Sequence, residues 1–197
     1  IINRDSTTDQ IVTKMTYEEL VAKMMSEAQK VTDFARQQGF TYGHASINPG
    51  FNWAELDPAK AINKNEKITS CDRLVDWVLY RTGFTDQQYK NGLVVYQMPA
   101  WLESLNFEKI TNVSALKAGD IVFVFDDANR PGMPRHVFIC ASSNLGGNVY
   151  LRYDHGSNAR IKCVNGTEVT AGRQPCREVI TGFYYAYRPC SDKMPNT

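Results

Sequence analysis

The sequence predicts an α+β fold in a single domain, and three observations carry that expectation. Helical apolar spacing comes first along the chain, strand-like runs come later, and the strand–helix alternation that builds a parallel sheet is missing. With 197 residues, 43% of them hydrophobic and 22% charged, the chain can enclose one sizeable core and lacks the bias of a disordered protein. The expected architecture is a set of N-terminal helices packed on an antiparallel sheet of about five strands, spanning residues 1–197 as one domain.

The first element is a helix over about residues 16–39. Thr16-Tyr17-Glu18-Glu19 gives a capping box, and Gly39 is a stop signal. Tyr17, Val21, Met24, Ala28, Val31 and Ala35 recur at steps of three and four, a stripe that faces a core. This helix is a packing element, either part of the domain or added to it. From Phe40 to Ile68 the period is lost among Gly43, Pro49, Gly50, Asn52, Pro58 and Asn63, and irregular segments of this length tend to carry function. A second helix follows, with Thr69 or Ser70 as N-cap, Leu74, Val75, Val78 and Leu79 on one face, and Gly83 at its end. A short helix is expected around Pro99 to Leu105.

The period then changes. Leu116-Lys117-Ala118-Gly119-Asp120 is a turn feeding a strand at Ile121 to Phe125. "RHVFICAS" is a second strand, "NLGGN" a hairpin signal and "VYLRYD" a third strand. "ARIKCV" and "EVITGFYYAYR" complete the sheet.

Twenty-two Lys and Arg against 21 Asp and Glu leave no field to attract nucleic acid or an anionic membrane, so no polyanionic partner is expected. No apolar run approaches the ~20 residues that cross a bilayer. The chain opens on Ile1-Ile2 without a basic or apolar leader, which reads as a processed or trimmed start. Five cysteines are present, without C-x-x-C or H-E-x-x-H spacing, so no metal site is expected. Cys163 and Cys176 flank a turn-rich loop and could pair in an oxidising compartment, but the pairing among Cys140, Cys163, Cys176 and Cys190 stays open.

One cysteine is placed for chemistry. Cys71 follows two hydroxyl residues at the first turn of the second helix, where unpaired amides and the positive end of the helix dipole favour the thiolate, the nucleophilic form. Cys140, inside "HVFICA", fits a small buried hydrophobe instead. A thiol nucleophile needs a base, and the three histidines are His44, His136 and His155. His136 opens a strand after a Pro-rich turn, at a sheet edge that a helix N-terminus can reach. Asp154 and His155 end the next strand, and either can orient the far nitrogen of His136.

These residues fall in three ordered blocks, "SCDRLVDWVLYRTGF", "LKAGDIVFV" and "HVFICASSNLGGNVYLRYDHGS", which together resemble the NlpC/P60 family of papain-like cysteine peptidases from Ser70 to Ser157. The resemblance implies the papain-like fold, Cys71 as nucleophile and His136 as general base. It favours Asp154 as the third member, with His155 as the alternative. It also relates "TYGHAS" to a family Y-x-x-G motif, making Tyr42 a candidate for substrate or oxyanion contact. The chain departs from the family at Ser70-Cys71-Asp72-Arg73, where Asp-Cys-Ser-Gly is usual. That leading Asp is associated with the free amine of a stem peptide, so its absence puts a γ-D-glutamyl bond in doubt, and Asp72 and Arg73 become candidates for contacting substrate charge.

The resemblance further implies a hydrolase acting on peptide or amide bonds of bacterial peptidoglycan, without a cofactor, secreted or cell-wall associated, with its export signal outside this chain. The Cys71 amide at the helix start would stabilise the oxyanion, about 3 kcal/mol per donor in comparable sites. Two other readings fit the pattern. A Cys–His acyltransferase or thioesterase of the same fold would need an apolar channel, for which Trp101, Leu102 and Phe107 are candidates. A catalytically degenerate cell-wall binding module would use the "GFNW" loop and the "FYYAYRP" tail as an aromatic platform. Oligomeric state is not legible.

Overall fold

A computed structural model of the chain describes residues 13–38, 40–42, 68–84, 95–125, 134–155, 174–176, 182–190 and 195–196. In chain order the elements are α1 (Tyr17–Gln37), β1 (Thr41–Tyr42), β2 (Ile68–Thr69), α2 (Cys71–Thr82), α3 (Met98–Ser104), β3 (Glu108–Ile110), a 3-10 turn (Val113–Ala115), β4 (Ile121–Val124), β5 (His136–Cys140), β6 (Tyr150–Tyr153), β7 (Gln174–Cys176) and β8 (Phe183–Arg188). The architecture is α+β. Among the described residues six strands form one antiparallel sheet in the order β3-β8-β4-β5-β6-β7, and β1 and β2 form a separate parallel pair.

The helix starts follow from their first residues. Thr16 and Glu19 make both hydrogen bonds of the capping box, and the α1 stripe buries Leu20, Met24, Ala28, Val31 and Ala35. Glu27 of α1 meets the Arg81 guanidinium of α2, and within α1 it also pairs with Lys30 at 3.2 Å. The Tyr17 hydroxyl donates to the Ala118 carbonyl at 2.8 Å, and the Tyr153 hydroxyl shares a 2.9 Å bond with Gln29 Oε1, so α1 also grips the sheet. α2 ends at Gly83 in the left-handed conformation, φ 93°.

α2 is more enclosed than its amphipathic pattern predicts. Leu74, Val75, Val78 and Leu79 are fully buried as expected, but so is Asp76, and Arg73 and Trp77 are nearly so. Neighbours therefore cover most of the helix, and only Asp72, Tyr80 and Arg81 keep partial exposure.

The sheet separates two apolar layers by strand alternation. Ile121, Phe123, Val137, Ile139, Tyr153 and Tyr187 pack with the helices, whereas Val122, Val124, Phe138, Cys140, Tyr150 and Ala186 pack on the opposite face. Each fully buried apolar side chain contributes about 1.5–3 kcal/mol by its removal from water. The Gly-Asp turn before β4 has a physical account: Gly119 sits at φ 97°, and a Cβ there would meet Val21 of α1 at 3.0 Å. Asp120, fully buried, accepts from the Lys117 amide at 2.9 Å and pairs with Arg188 of β8 at 2.7 Å.

Two strands differ from expectation. β3 and β7 carry no clear alternation in sequence and are held by their partners, Glu108↔Arg188 and Tyr150↔Cys176. "ARIKCV" lies outside the described residues, as do Cys163, His44 and "GFNW". Among the described residues Cys71 and Cys140 are buried free thiols.

Candidate active site

The cysteine is delivered by a helix start. Ser70 is the N-cap, extended at φ −144° and ψ 172°, and Cys71 is the first helical residue. The Ser70 hydroxyl donates to Asp72 Oδ1, which also accepts from the Arg73 amide at 2.9 Å. Asp72, proposed from sequence to meet substrate charge, is thus occupied within its own first turn. An acidic residue in the first turn complements the positive end of the helix dipole. Arg73 is buried at 7% exposure, its guanidinium 5.9 Å from the Trp77 ring, so a solvated role is excluded for it.

His136 opens β5, and the register Ile139↔Tyr153 brings the end of β6 beside it. Asp154, directly after β6, lies with Oδ1 2.8 Å from His136 Nε2. At this distance the carboxylate and the ring are in close charge contact. Burial alone would lower the proton affinity of the ring. The Asp154 carboxylate and then the Cys71 sulfur outweigh it, driving His136 up to about 10. Cys71, the first residue of α2, is thus close enough to act on the His136 ring. Burial pushes Asp154 upward, but the positive charges of His136 and Arg152 hold it below the usual carboxylate range. An Asp carboxylate, a histidine and a cysteine thus converge, each at most 2% exposed.

His155 takes a different place. Its Nδ1 shares a 2.8 Å hydrogen bond with the Thr69 hydroxyl, and its ring meets Trp77 edge-on at 6.4 Å. It makes no hydrogen bond to His136. Burial drives it down to about 3, so it is neutral. His155 thereby ties the end of β6 to the residue two before Cys71. Replacing Thr69 by valine, nearly isosteric, strands the buried ring and should lower stability by about 1–3 kcal/mol, measured as a shift in the urea midpoint.

Tyr42 lies 29 positions before Cys71, yet the parallel pairing Tyr42↔Thr69 brings its backbone beside the strand that enters α2. Cys140 behaves as a core residue, its thiol pushed up to about 12 by burial and pointing at the Ser142 carbonyl. Trp101, Leu102 and Phe107, the candidates for an acyl channel, are packed in the helix-side core. β8, carrying "FYYAYR", is an interior strand in which Tyr187 is buried and Tyr184 is 38% exposed. Among the described residues no group of three or more His, Cys, Asp or Glu could hold a metal ion, and no helix is long and apolar enough to cross a membrane.

Sequence reasoning missed three residues here. Arg152 is buried and its Nη1 contacts Asp154 Oδ2; the signal was the R-x-D spacing, which puts both side chains on one strand face. Thr69 was read only as a possible cap. Asp76, three residues after Arg73, has both carboxylate oxygens buried without a hydrogen bond and is pushed up to about 7, chiefly by burial and against the pull of Arg73.

No protein-family model and no curated protein matches the chain. Among solved structures, a protein described as similar to a lipoprotein of the NLP/P60 family, from Staphylococcus aureus subsp. aureus Mu50, aligns with TM-score 0.46 at 18% identity. The alignment covers 92% of this chain and 44% of that one, so the chain spans less than half the length of that neighbour.

Proposed function

We propose that this protein is a cysteine hydrolase of peptide or amide bonds in bacterial peptidoglycan, acting outside the cell membrane. The observation that carries the reading is the meeting of Cys71 at a helix start with His136, itself backed by Asp154. The substrate class rests on the resemblance of the three sequence blocks to cell-wall peptidases.

In this reaction the Cys71 thiolate attacks the scissile carbonyl carbon. The oxygen takes up negative charge beside the free amides of the α2 start, where each well-placed donor is worth about 3 kcal/mol. As the C–N bond breaks, the His136 imidazolium gives its proton to the leaving amine, and a thioester remains on Cys71. Water then attacks the thioester, His136 takes its proton, and the thiolate departs with the acid product released. Asp154 holds the ring and stabilises its charged form throughout. Tyr42 and the Cys71 amide are the proposed oxyanion contacts, and Asp72 and Arg73 shape the helix start rather than read the bond.

Purified peptidoglycan incubated with the protein should release soluble fragments whose masses report new amine and carboxyl ends. A digest that stays intact, with the protein folded, rejects the substrate assignment. The pH dependence has a defined sign. His136, raised from 6.5 to about 10, contributes stability that is complete below 6.5 and fades as pH climbs to about 10. Asp154, lowered from 3.8, contributes stability that is present above 3.8 and lost in acid. Fragment release should therefore fall on the alkaline side as the imidazolium disappears, and an alkaline limb unchanged in His136→Gln would contradict the role given to this ring.

A further inference from the structure

We propose that Arg152 is a positioning residue of the Cys71–His136 pair: by gripping Asp154 Oδ2 it keeps Oδ1 turned on His136 and keeps the carboxylate charged. This inference rests on the cysteine hydrolase reading above. Arg152 lies on β6 opposite Cys140 of β5, is 2% exposed, and has its guanidinium 6.0 Å from the Phe138 ring. A buried guanidinium carries a heavy desolvation cost, and an apolar side chain of similar volume would pack there more favourably. Its retained charge has a destination two residues on, on the same strand face, where Nη1 meets Asp154.

The two carboxylate oxygens are divided between two partners, Oδ1 to the imidazole and Oδ2 to the guanidinium. A carboxylate held at one end by a planar, permanently charged group cannot rotate away from the histidine or take up a proton easily. The charged and titratable groups around it are His136 from β5, Cys71 from α2 beyond that ring, and His155 next in the chain, which Arg36 of α1 in turn acts upon. His136 and then Arg152 supply most of the positive charge that acts on Asp154, and His155 adds least.

The test is the rate of Cys71 alkylation by iodoacetamide as a function of pH, read by peptide mass, in the full chain and its variants. In Arg152→Gln the acid-side midpoint should rise by about one pH unit, because Asp154 takes up a proton sooner and the imidazolium loses its support. Arg152→Lys, which keeps the charge, should recover most of that shift, whereas a merely structural arginine would leave the midpoint in place. An Arg152→Gln profile that superimposes on the wild type overturns the inference. Should Arg152→Gln fail to fold, Asp154→Asn is compared with Asp154→Asn/Arg152→Gln, which buries no unmatched charge. Coincident profiles support action through Asp154, and a further shift on losing Arg152 overturns it. A wild-type Cys71 that alkylates no faster than free cysteine fails the hydrolase reading itself, and this inference with it. A normal wild-type acid limb with an unmoved Arg152→Gln fails this inference alone.

Discussion

Cys71→Ala is expected to reduce fragment release from purified cell wall by about four to six orders of magnitude while leaving the protein folded. The loss is large because the nucleophile and its base act as a unit. Without the sulfur no thioester forms, and what remains is the weak effect of binding and of the helix amides on direct attack by water. The fold should survive because the change removes one atom from a core cluster that α1, α2, α3 and the sheet build together. The two readouts are needed jointly: fragment mass for activity, and a cooperative unfolding transition at a similar denaturant midpoint. Release persisting in the variant would mean that another group cleaves the bond.

Asp154→Leu is expected to have the largest effect on stability, about 3–5 kcal/mol, because it strips the partner from two buried groups at once. His136 and Arg152 both turn toward the carboxylate, and Arg152 is 2% exposed, so a leucine leaves a guanidinium buried without its counter-charge. Asp154→Asn, which retains an acceptor oxygen, should lose less. Urea unfolding of both variants near pH 6 decides the matter, since both native contributions are complete there. If leucine proves as stable as aspartate, the charge cluster is not what holds the end of β6. The same substitution should slow alkylation of Cys71, since the imidazolium that supports its thiolate loses its carboxylate.

What the sequence disclosed about this site was the part that local chemistry writes plainly. The capping box at Thr16, the cysteine after Ser70, the left-handed stop at Gly83 and the Gly119-Asp120 turn each depend on a few neighbouring residues, and each is present in the fold. The strands from Ile121 to Tyr153 follow from short apolar runs bounded by turn signals. The hidden part depends on pairing between distant segments. β3 is three residues long and exists because β8 runs beside it, and β7 contains Pro175, tolerable in an edge strand that pairs on one side. The same holds within the site. An arginine in "YLRYD" reads as a solvent-facing strand residue until the sheet order places β5 on one side of it and β7 on the other. Asp76 and Arg73 read as the polar face of an amphipathic helix until the helix is seen to be enclosed. The residues alone allow Asp154 or His155 beside His136 and the resemblance favours Asp154, while adjacent residues of an extended chain point to opposite sides. One therefore reaches His136 while the other reaches Thr69.

One sulfur and one imidazole must act together in this site, and the most direct measurement of that is the alkylation rate of Cys71 near pH 7 with a small reagent, in the wild type and in His136→Ala. The wild-type thiol should react at least about tenfold faster than the thiol of the variant, because the imidazolium is what keeps the sulfur ionised. Equal rates in the two proteins, both no faster than free cysteine, would contradict the account.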